Sequence, residues 1–375
     1  MKVAINAGDL RQALGHAARI VSSRSRTPVL DTVRLIAADD RVSITASNMD
    51  IDLTIDVSAA VLTDGAACIP LAPLRGFAAA AKADVAIDMD GDTAKISSGR
   101  SRIALHTLPA SDFPEPSGYD GISMHSFDGA AFSSAMRFAS AAASTSETQY
   151  FLCGTHLIPR DGEIEIWGTD GKSAHRATIT GAIDEPATIP NAAVALILGI
   201  TDADANVRFG VNVSGWSIAS RDIRARGRVI DGGYPDMTRV RGQFGSWADL
   251  MDIDGAEFAS AISVATCGAD DDGDKGLPIV LSATTGSAAV LRGQKGRSGV
   301  VHAGRAEVGE AKSDARASLD ARYLSRAIKD MSSDRRFIQT CGSAIRITPS
   351  QASAAGEMEA IIMGRRASDA ELADV

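Results

Sequence analysis

Aromatic residues are scarce in this chain of 375 residues, where Phe, Trp and Tyr together make up 5%. Hydrophobic residues nevertheless reach 45% and charged residues 23%, which is the balance of a globular protein. We therefore expect cores built mainly from Ala, Val, Ile and Leu. A chain of this length exceeds the usual limit of a single core, so two or three domains are expected.

Cysteine is equally rare, and the four cysteines lie far apart: Cys68, Cys153, Cys267 and Cys341. No two of them have the spacing of a zinc-binding pair, and their positions do not form a disulfide framework. The sequence predicts buried free thiols.

Long apolar runs are absent. Polar residues such as Asn6 and Asp9 interrupt the N-terminal segment before a signal peptide could form, and no later run is long enough to span a membrane. We therefore expect a cytoplasmic protein. The net charge of −9 argues against a protein covered in positive charge, but the distribution of charge decides whether a local basic surface exists.

Motifs of enzyme active sites are also missing. Gly171-Lys172-Ser173 resembles the end of a phosphate-binding loop, but that motif needs Gly at position 166, which is Ile. The run 270–274 lacks the spacing of a calcium-binding loop and indicates an acidic loop. Three histidines without metal-binding spacing are predicted to be exposed strand residues: His106, His175 and His302. We predict no catalytic residue, metal site or cofactor.

What the chain does have is a repeat at domain length. Residues 5–14, 127–136 and 253–262 align without gaps. In each, an apolar residue precedes Asn or Asp, and apolar residues recur five and nine positions after the first, as on one face of a helix. The Asn or Asp is placed as a helix N-cap, and Asp254 with Glu257 has the spacing of a capping box. Each copy predicts a strand end, a cap and a helix.

A second helix start follows each first one, at residues 69–74, 189–194 and 318–324. Between the helices apolar and polar residues alternate, as in 41–46 and 163–167, which is typical of a half-buried strand. Asp90-Gly91 and Asp161-Gly162 predict turns. The predicted fold class is α+β, with three similar domains of antiparallel sheet and two helices in each.

Domain boundaries are expected where Pro, Gly and Ser gather, at residues 114–118 and 242–246. The predicted limits are 1–117 for the first domain, 122–244 for the second and 247–366 for the third. A tail of residues 367–375 follows.

Several short segments of the chain resemble segments of one protein family. Thr107-Leu108-Pro109-Ala110-Ser111-Asp112-Phe113-Pro114 resembles the sequence at the end of the first domain in that family. Tyr150-Phe151-Leu152-Cys153-Gly154 resembles Tyr-Tyr-Leu-Asn-Gly, and Asp231-Gly232-Gly233-Tyr234-Pro235-Asp236 resembles Asp-Gly-Arg-Phe-Pro-Asp. Together and in this order, from Met1 to about Arg366, the segments resemble the bacterial sliding clamp family, the β subunits of DNA polymerase III.

The resemblance implies the DNA clamp fold, in which three similar domains form a crescent and two crescents join head to tail into a homodimeric ring. Strands would lie outside and helices would line the hole. A contact that closes a ring leaves no free partner surface and covers strand edges. The implied function is a processivity factor that encircles duplex DNA of any sequence. The implied partners are DNA polymerase III, other polymerases with a clamp-binding peptide, and a clamp loader.

Loose attraction to DNA phosphates requires Lys and Arg side chains on the helices that line the ring. Four arginines on or beside the predicted helices are candidate DNA-binding residues: Arg11, Arg19, Arg75 and Arg137. Arg24, Tyr150 and Phe151 match positions where the family contacts DNA. For each arginine, an ordinary solvated surface charge is the alternative interpretation.

The resemblance also implies a pocket between the second and third domains for a short partner peptide containing Leu and Phe. The matching residues are Leu152, Thr169, Gly171, Lys172, Pro235, Arg239, Val240, Ile361, Met363 and Arg365. The chain departs from the family at Lys172-Ser173, where the family has His-Arg, and at Gly364-Arg365, where it has Pro-Met. The alternative for the apolar members is that they only close a domain core.

Two other functions remain open at this point. The departures in the pocket and the tail are compatible with a clamp paralogue that serves a mobile element or a specialised repair polymerase. An α+β enzyme could also share the domain repeat. The tail carries three acidic residues and Leu372, and we hypothesise that it competes with partner peptides for the pocket.

Overall fold

The structure is a computed structural model. It describes residues 1–21, 27–115, 121–201, 206–267, 277–293, 304–331, 334–350 and 356–365. Four features predicted above lie outside the described residues: Arg24, His302, the acidic run 270–274 and the tail 367–375.

Helices open where the repeat predicts them. The helices in the described part of the chain are α1 (Ala7–Ala17), α2 (Leu71–Ala80), α3 (Gly129–Ser140), α4 (Asn191–Ile200), α5 (Met237–Gly242), α6 (Gly255–Ala265) and α7 (Ala321–Lys329). The Asn6 side chain accepts hydrogen bonds from two N–H groups of α1, and the Asp254 side chain does the same for α6. Both caps satisfy N–H groups that a helix start leaves unpaired, as predicted.

The chain divides into two compact units. Unit 1 comprises Met1–Gly129, Ile183–Glu185 and Ala192–Val229, and unit 2 comprises Ala130–Ala182, Pro186–Asn191 and Ile230–Val375. The borders of these units fall inside the second predicted domain, so the limits of the three predicted domains stay predictions.

Unit 1 is built on a twelve-stranded sheet. Its strands are β1 (Lys2–Ile5), β2 (Thr32–Ala38), β3 (Arg41–Ser47), β4 (Ile51–Thr63), β5 (Gly65–Pro70), β6 (Val85–Asp90), β7 (Thr93–Ser98), β8 (Ser101–His106), β9 (His125–Asp128), β14 (Asn206–Val211), β15 (Trp216–Ser220) and β16 (Ile223–Gly227). Their order is β8-β7-β6-β1-β4-β16-β15-β14-β9, and β3, β2 and β5 branch from β4. Helix α1 packs on α2, β3 and β4 and buries Leu10 and Leu14.

Unit 2 holds two further sheets. Its strands are β10 (Gly154–Arg160), β11 (Glu163–Thr169), β12 (Ser173–Thr180), β13 (Ala187–Pro190), β17 (Ala248–Asp254), β18 (Pro278–Ala283), β19 (Ala288–Gly293), β20 (Arg305–Glu310), β21 (Ala315–Asp320), β22 (Arg335–Cys341), β23 (Ala344–Pro349) and β24 (Met358–Ile362). One sheet runs β13-β10-β11-β12-β24-β23-β22-β17, and the other β20-β19-β18-β21. Helix α6 packs on α7, β19 and β20.

These elements confirm the predicted α+β class with antiparallel sheets. Both predicted turns are present, and Gly91 and Gly162 adopt left-handed φ angles of 60° and 76° there. The buried side chains are mainly Ala, Val, Ile and Leu, as the low aromatic content predicts.

Two predictions about single residue types are confirmed only in part. His175 was expected on the surface, but it is fully buried, because β12 is covered on both faces. His106 on β8 is exposed as predicted. All four cysteines are free, but only Cys68 is buried, and Cys267 is exposed.

Among the described residues, no helix is both long and apolar enough to cross a membrane. The same residues contain no group of three or more His, Cys, Asp or Glu side chains placed to hold a metal ion.

Candidate functional site

The turn between β11 and β12 forms one wall of a cavity in unit 2. Its shape is fixed by two side chains: the Thr169 hydroxyl donates to the Ser173 carbonyl at 2.6 Å, and the Asp170 carboxylate accepts from the N–H groups of Lys172 and Ser173, both at 2.9 Å. Gly171 has a φ of 82°, a conformation that favours glycine. The segment Thr-Asp-Gly thus presents Gly171 and Lys172 at the rim.

Helix α5 forms the opposite wall. Asp236 caps it by accepting a hydrogen bond from the Arg239 N–H group at 3.0 Å. Met237 and Val240 lie at positions i and i+3 of the helix, so they share one face, and Phe244 follows two residues after the helix ends. Met237 packs with Trp167 and Ala174 in a small core, and Val240 packs against that core. The helix therefore contributes an apolar wall.

Strand β24 supplies the third wall. It pairs with β12 so that Ile361 lies beside Ala174. Ile361 and Met363 point to the same side, since alternate residues of an extended strand share a face. The Met363 N–H group donates to the Lys172 carbonyl at 2.9 Å, which ties the end of the strand to the turn.

The three walls border a cavity of about 250 Å³ that is open to solvent on one side. It is lined by Leu152, Trp167, Thr169, Gly171, Lys172, Ser173, Ala174, Pro235, Met237, Val240, Arg241, Gln243, Phe244, Ile361 and Met363. The lining is mostly apolar, with cationic groups at the rim and no carboxylate among its described residues. Such a cavity suits apolar side chains of a ligand that also carries negative charge.

The structure brings eight of the ten predicted pocket residues to this cavity. The two that do not line it are Arg239, which is exposed on α5, and Arg365, whose N–H group donates to the Ser318 carbonyl. Sequence reasoning missed seven of the lining residues: Trp167, Ser173, Ala174, Met237, Arg241, Gln243 and Phe244. For Met237 the helical spacing from Val240 was the available signal.

A buried carboxylate holds the α5 wall in place. Glu359 on β24 is almost completely buried and lies 3.0 Å from Arg241 and 3.5 Å from Arg346. Two cations offset the cost of removing this carboxylate from water. Arg241 keeps nearly half of its side chain exposed at the cavity rim.

Glu359→Gln is expected to lower the free energy of unfolding by about 2 to 3 kcal/mol, because the buried side chain loses its charge-assisted contacts with two arginines. Urea unfolding measures this change. The matched control is Glu357→Gln, since the Glu357 side chain is 76% exposed although it also pairs with an arginine, Arg176. Exposed pairs contribute at most about 1 kcal/mol. Equal losses in the two variants would contradict the assigned role of Glu359.

Burial shifts the pKa values of two side chains next to the cavity, His156 and Tyr234. The His156 ring stacks on Tyr234 with ring centroids 4.4 Å apart. Burial lowers the pKa of His156 to about 4 and raises the pKa of Tyr234 above its ordinary value. Both side chains are therefore neutral near pH 7.

Two candidate DNA-binding arginines of unit 1, Arg11 and Arg19, contact other residues of the chain. Arg11 is exposed, but its guanidinium donates to the carbonyls of Ala78 and Ala81 at 3.4 and 3.1 Å. There the cation meets the negative end of the α2 dipole. Arg19 lies against Gly199 of α4, where a Cβ atom would fall 1.2 Å from a guanidinium nitrogen.

The side chains of the other described candidate DNA-binding residues are mostly exposed to solvent. Arg75 on α2 and Arg137 on α3 are exposed. The Tyr150 and Phe151 rings lie edge to face with centroids 5.8 Å apart, and 56% of Tyr150 is exposed. Their assignment to DNA binding stays a prediction.

Comparison with known proteins places the chain in a family. The sequence model described as DNA polymerase III beta subunit, N-terminal domain, matches residues 1–117. A beta sliding clamp of Caulobacter vibrioides is 30% identical over 288 residues, which are 72% of this chain and 76% of that protein. A beta sliding clamp of Synechocystis is 28% identical over 263 residues, or 63% and 67% of the two chains.

Solved structures share the fold. The DNA polymerase sliding clamp of Bacillus subtilis superposes with a TM-score of 0.88 at 19% identity, covering 98% of this chain and all of that one. A sliding clamp of Pseudomonas aeruginosa, solved with griselimycin bound, gives 0.86 at 20% identity over the same shares. The chain therefore belongs to the beta sliding clamp family, the DNA polymerase III beta subunits, which are processivity factors and not enzymes.

Proposed function

We propose that two copies of this chain form a closed ring around duplex DNA and that the cavity in unit 2 holds peptide segments of DNA polymerase III and other polymerases. The observation that carries the proposal is the cavity itself. Eight residues that are matched to the family's peptide pocket line one apolar space, although they come from four separate parts of the sequence. A protein that only closed its core there would leave no such space.

The proposed ligand is a short peptide with Leu and Phe side chains. The apolar lining residues Trp167, Met237 and Val240 suit apolar side chains, and Lys172 and Arg241 at the rim suit acidic neighbours. Most of the binding free energy would come from the buried apolar side chains, with the charges favouring the correct partner.

DNA binding in this proposal is loose. The described helices carry few cations, on α1, α2, α3, α5 and α7, and α4 and α6 carry none. With a net charge of −9, attraction to phosphates is weak and falls steeply with salt. A closed ring needs no such attraction to remain on DNA, so retention would be topological.

Ring closure would cover exposed sheet edges. Within the described residues, β8 ends the large sheet of unit 1 and β20 ends the smaller sheet of unit 2. Both strands have backbone groups available on one side, which is a hazard in an isolated chain. A head-to-tail dimer that pairs β8 of one copy with β20 of the other removes both edges. A clamp loader would open this ring. The ring would act in the cytoplasm.

The test is retention on circular DNA. The protein is loaded with a bacterial clamp loader onto nicked plasmid, the salt is raised to about 1 M, and the plasmid is then cut. We expect the protein to stay on the circle in high salt and to leave after cutting, because charge attraction is then screened and only the topological link remains.

Sedimentation in the same buffers supplies the control for the ring, with a dimer expected. Release from the intact circle in high salt, or a monomer at micromolar concentration, would contradict the proposed ring.

The departures from the family at Lys172-Ser173 and Gly364-Arg365 favour one second candidate, a clamp paralogue that serves a specialised polymerase. Retention on circular DNA does not distinguish the two. Competition does: a main chromosomal clamp should bind the peptide of the host's replicative polymerase more tightly than the peptides of its repair polymerases.

A further inference from the structure

Two aromatic side chains lie next to the cavity in a chain that has few aromatics. Phe244 lines the cavity, and its ring lies 5.1 Å from that of Trp247, centroid to centroid, at an angle of 37°. Both residues are half-buried. We call this pair the aromatic shelf. It extends the apolar surface of the cavity outward along the segment between α5 and β17.

The shelf is supported from β22, β23 and β24. The Arg346 guanidinium lies over the Trp247 ring, 5.0 Å from its centroid. Arg346 is itself fixed by a 2.7 Å hydrogen bond to Gln339 and by the buried Glu359. Glu359 also holds Arg241 at the cavity rim. The shelf and the cavity therefore share one buried anchor, so they are held in a fixed relation to each other.

The cavity is small for a peptide ligand. Its volume of about 250 Å³ lies below the range of roughly 300 to 1,000 Å³ in which drug-sized ligands are usually held. It has room for one or two side chains, so a ligand must also use the adjoining surface. The shelf is an apolar surface continuous with the cavity. Lys172 and Arg241 lie at the cavity and Arg346 lies against the Trp247 ring, so three cations and the one carboxylate of Glu359 leave a positive local balance.

We propose that the aromatic shelf is a specificity site for partner peptides, which binds an aromatic side chain next to the pair of residues held in the cavity. The proposal rests on the proposed function of the cavity. The partner segment it describes carries Leu and Phe for the cavity, a neighbouring aromatic residue for the shelf, and an acidic residue facing the basic rim. A lysine in place of the aromatic residue would meet Arg346 and Arg241 and be rejected.

The experiment compares labelled peptides by fluorescence anisotropy. The core peptide contains Leu-Phe and one acidic residue, and the extended peptides add Trp directly before or directly after Leu-Phe, with Lys at the same positions as the charge control. The protein variants are Trp247→Ala and Trp247→Phe. Val213→Ala is the matched control, because Val213 is an exposed apolar residue of unit 1.

In the wild-type protein, Trp in one of the two positions is expected to tighten binding by about 3- to 10-fold over the core peptide, and Lys to give no gain. Trp247→Ala should reduce that gain to less than about 2-fold while the core peptide still binds. Trp247→Phe and Val213→Ala should retain it.

Two outcomes overturn the proposal in different ways. If the core peptide binds but Trp brings no gain, or the same gain in Trp247→Ala, the shelf is not a specificity site and the cavity function stands. If the core peptide fails to bind the wild-type protein, the result contradicts both the proposed function of the cavity and the proposed role of the shelf.

Discussion

Lowering the pH from 7 to 5 is expected to reduce the free energy of unfolding by about 4 kcal/mol, about 2 kcal/mol from each of two histidines. Burial lowers the pKa of His156 and of His175 to about 4. In the unfolded chain both have the ordinary value of about 6.5. The unfolded state therefore binds more protons between these values, so stability that is complete above pH 6.5 is lost as the pH falls toward 4.

The structural cause of the lowered pKa is clearer for His175 than for His156. Its ring is fully buried and stacks on Phe138 of α3, with ring centroids 4.7 Å apart. Its Nδ1 atom lies 2.9 Å from the Phe138 carbonyl, which suits a neutral ring that donates through Nδ1. Protonation would place a charge between α3 and β12 without water, which is costly.

Urea unfolding at pH 5, 6 and 7 measures the effect in wild type and in His175→Gln. The amide of Gln can still donate to the Phe138 carbonyl but does not titrate, so about half of the pH dependence should disappear although stability at pH 7 falls. His106→Gln is the control, because His106 is exposed on β8. An unchanged pH dependence in His175→Gln would mean that His175 is not the group responsible.

The sequence predicted the features that depend on neighbouring residues. Asn6 and Asp254 cap helices whose N–H groups lie two and three positions away, and Gly91 and Gly162 adopt left-handed φ angles in the two predicted turns. Chemistry of this kind is complete within a few residues, so it can be identified without knowing the fold. The order of the short segments in residues 107–114, 150–154 and 231–236 indicated the family, and the family resemblance indicated eight of the residues that line the cavity.

The features that the sequence did not predict depend on distant residues. His175 lacks metal-binding spacing and was expected to be an exposed strand residue, but α3 covers one face of β12 at this position. Glu359 holds Arg241 although more than a hundred positions separate them. Arg11 was predicted for DNA, yet its guanidinium also binds carbonyls of α2. No local pattern indicates a contact whose partner is brought close only by folding.

The contact of α3 with β11 and β12 leads to a second prediction, which concerns Gly168. Gly168 on β11 lies opposite His175 on β12. A Cβ atom at position 168 would fall 1.9 Å from the Ala139 carbonyl oxygen and 2.8 Å from its carbon, both backbone atoms of α3. A backbone cannot rotate away as a flexible side chain can. The Gly168→Ala variant must therefore push α3 off the sheet, which also separates His175 from Phe138.

Gly168→Ala is expected to lower the free energy of unfolding by about 3 kcal/mol, the upper part of the usual range for overpacking. Urea unfolding at pH 7 measures it. Gly245→Ala is the matched control, since no atom lies within 4 Å of a Cβ there and its φ is not left-handed. That variant should change stability by less than about 0.5 kcal/mol. If Gly168→Ala were equally neutral, α3 and β11 would have to lie farther apart than the Ala139 contact requires.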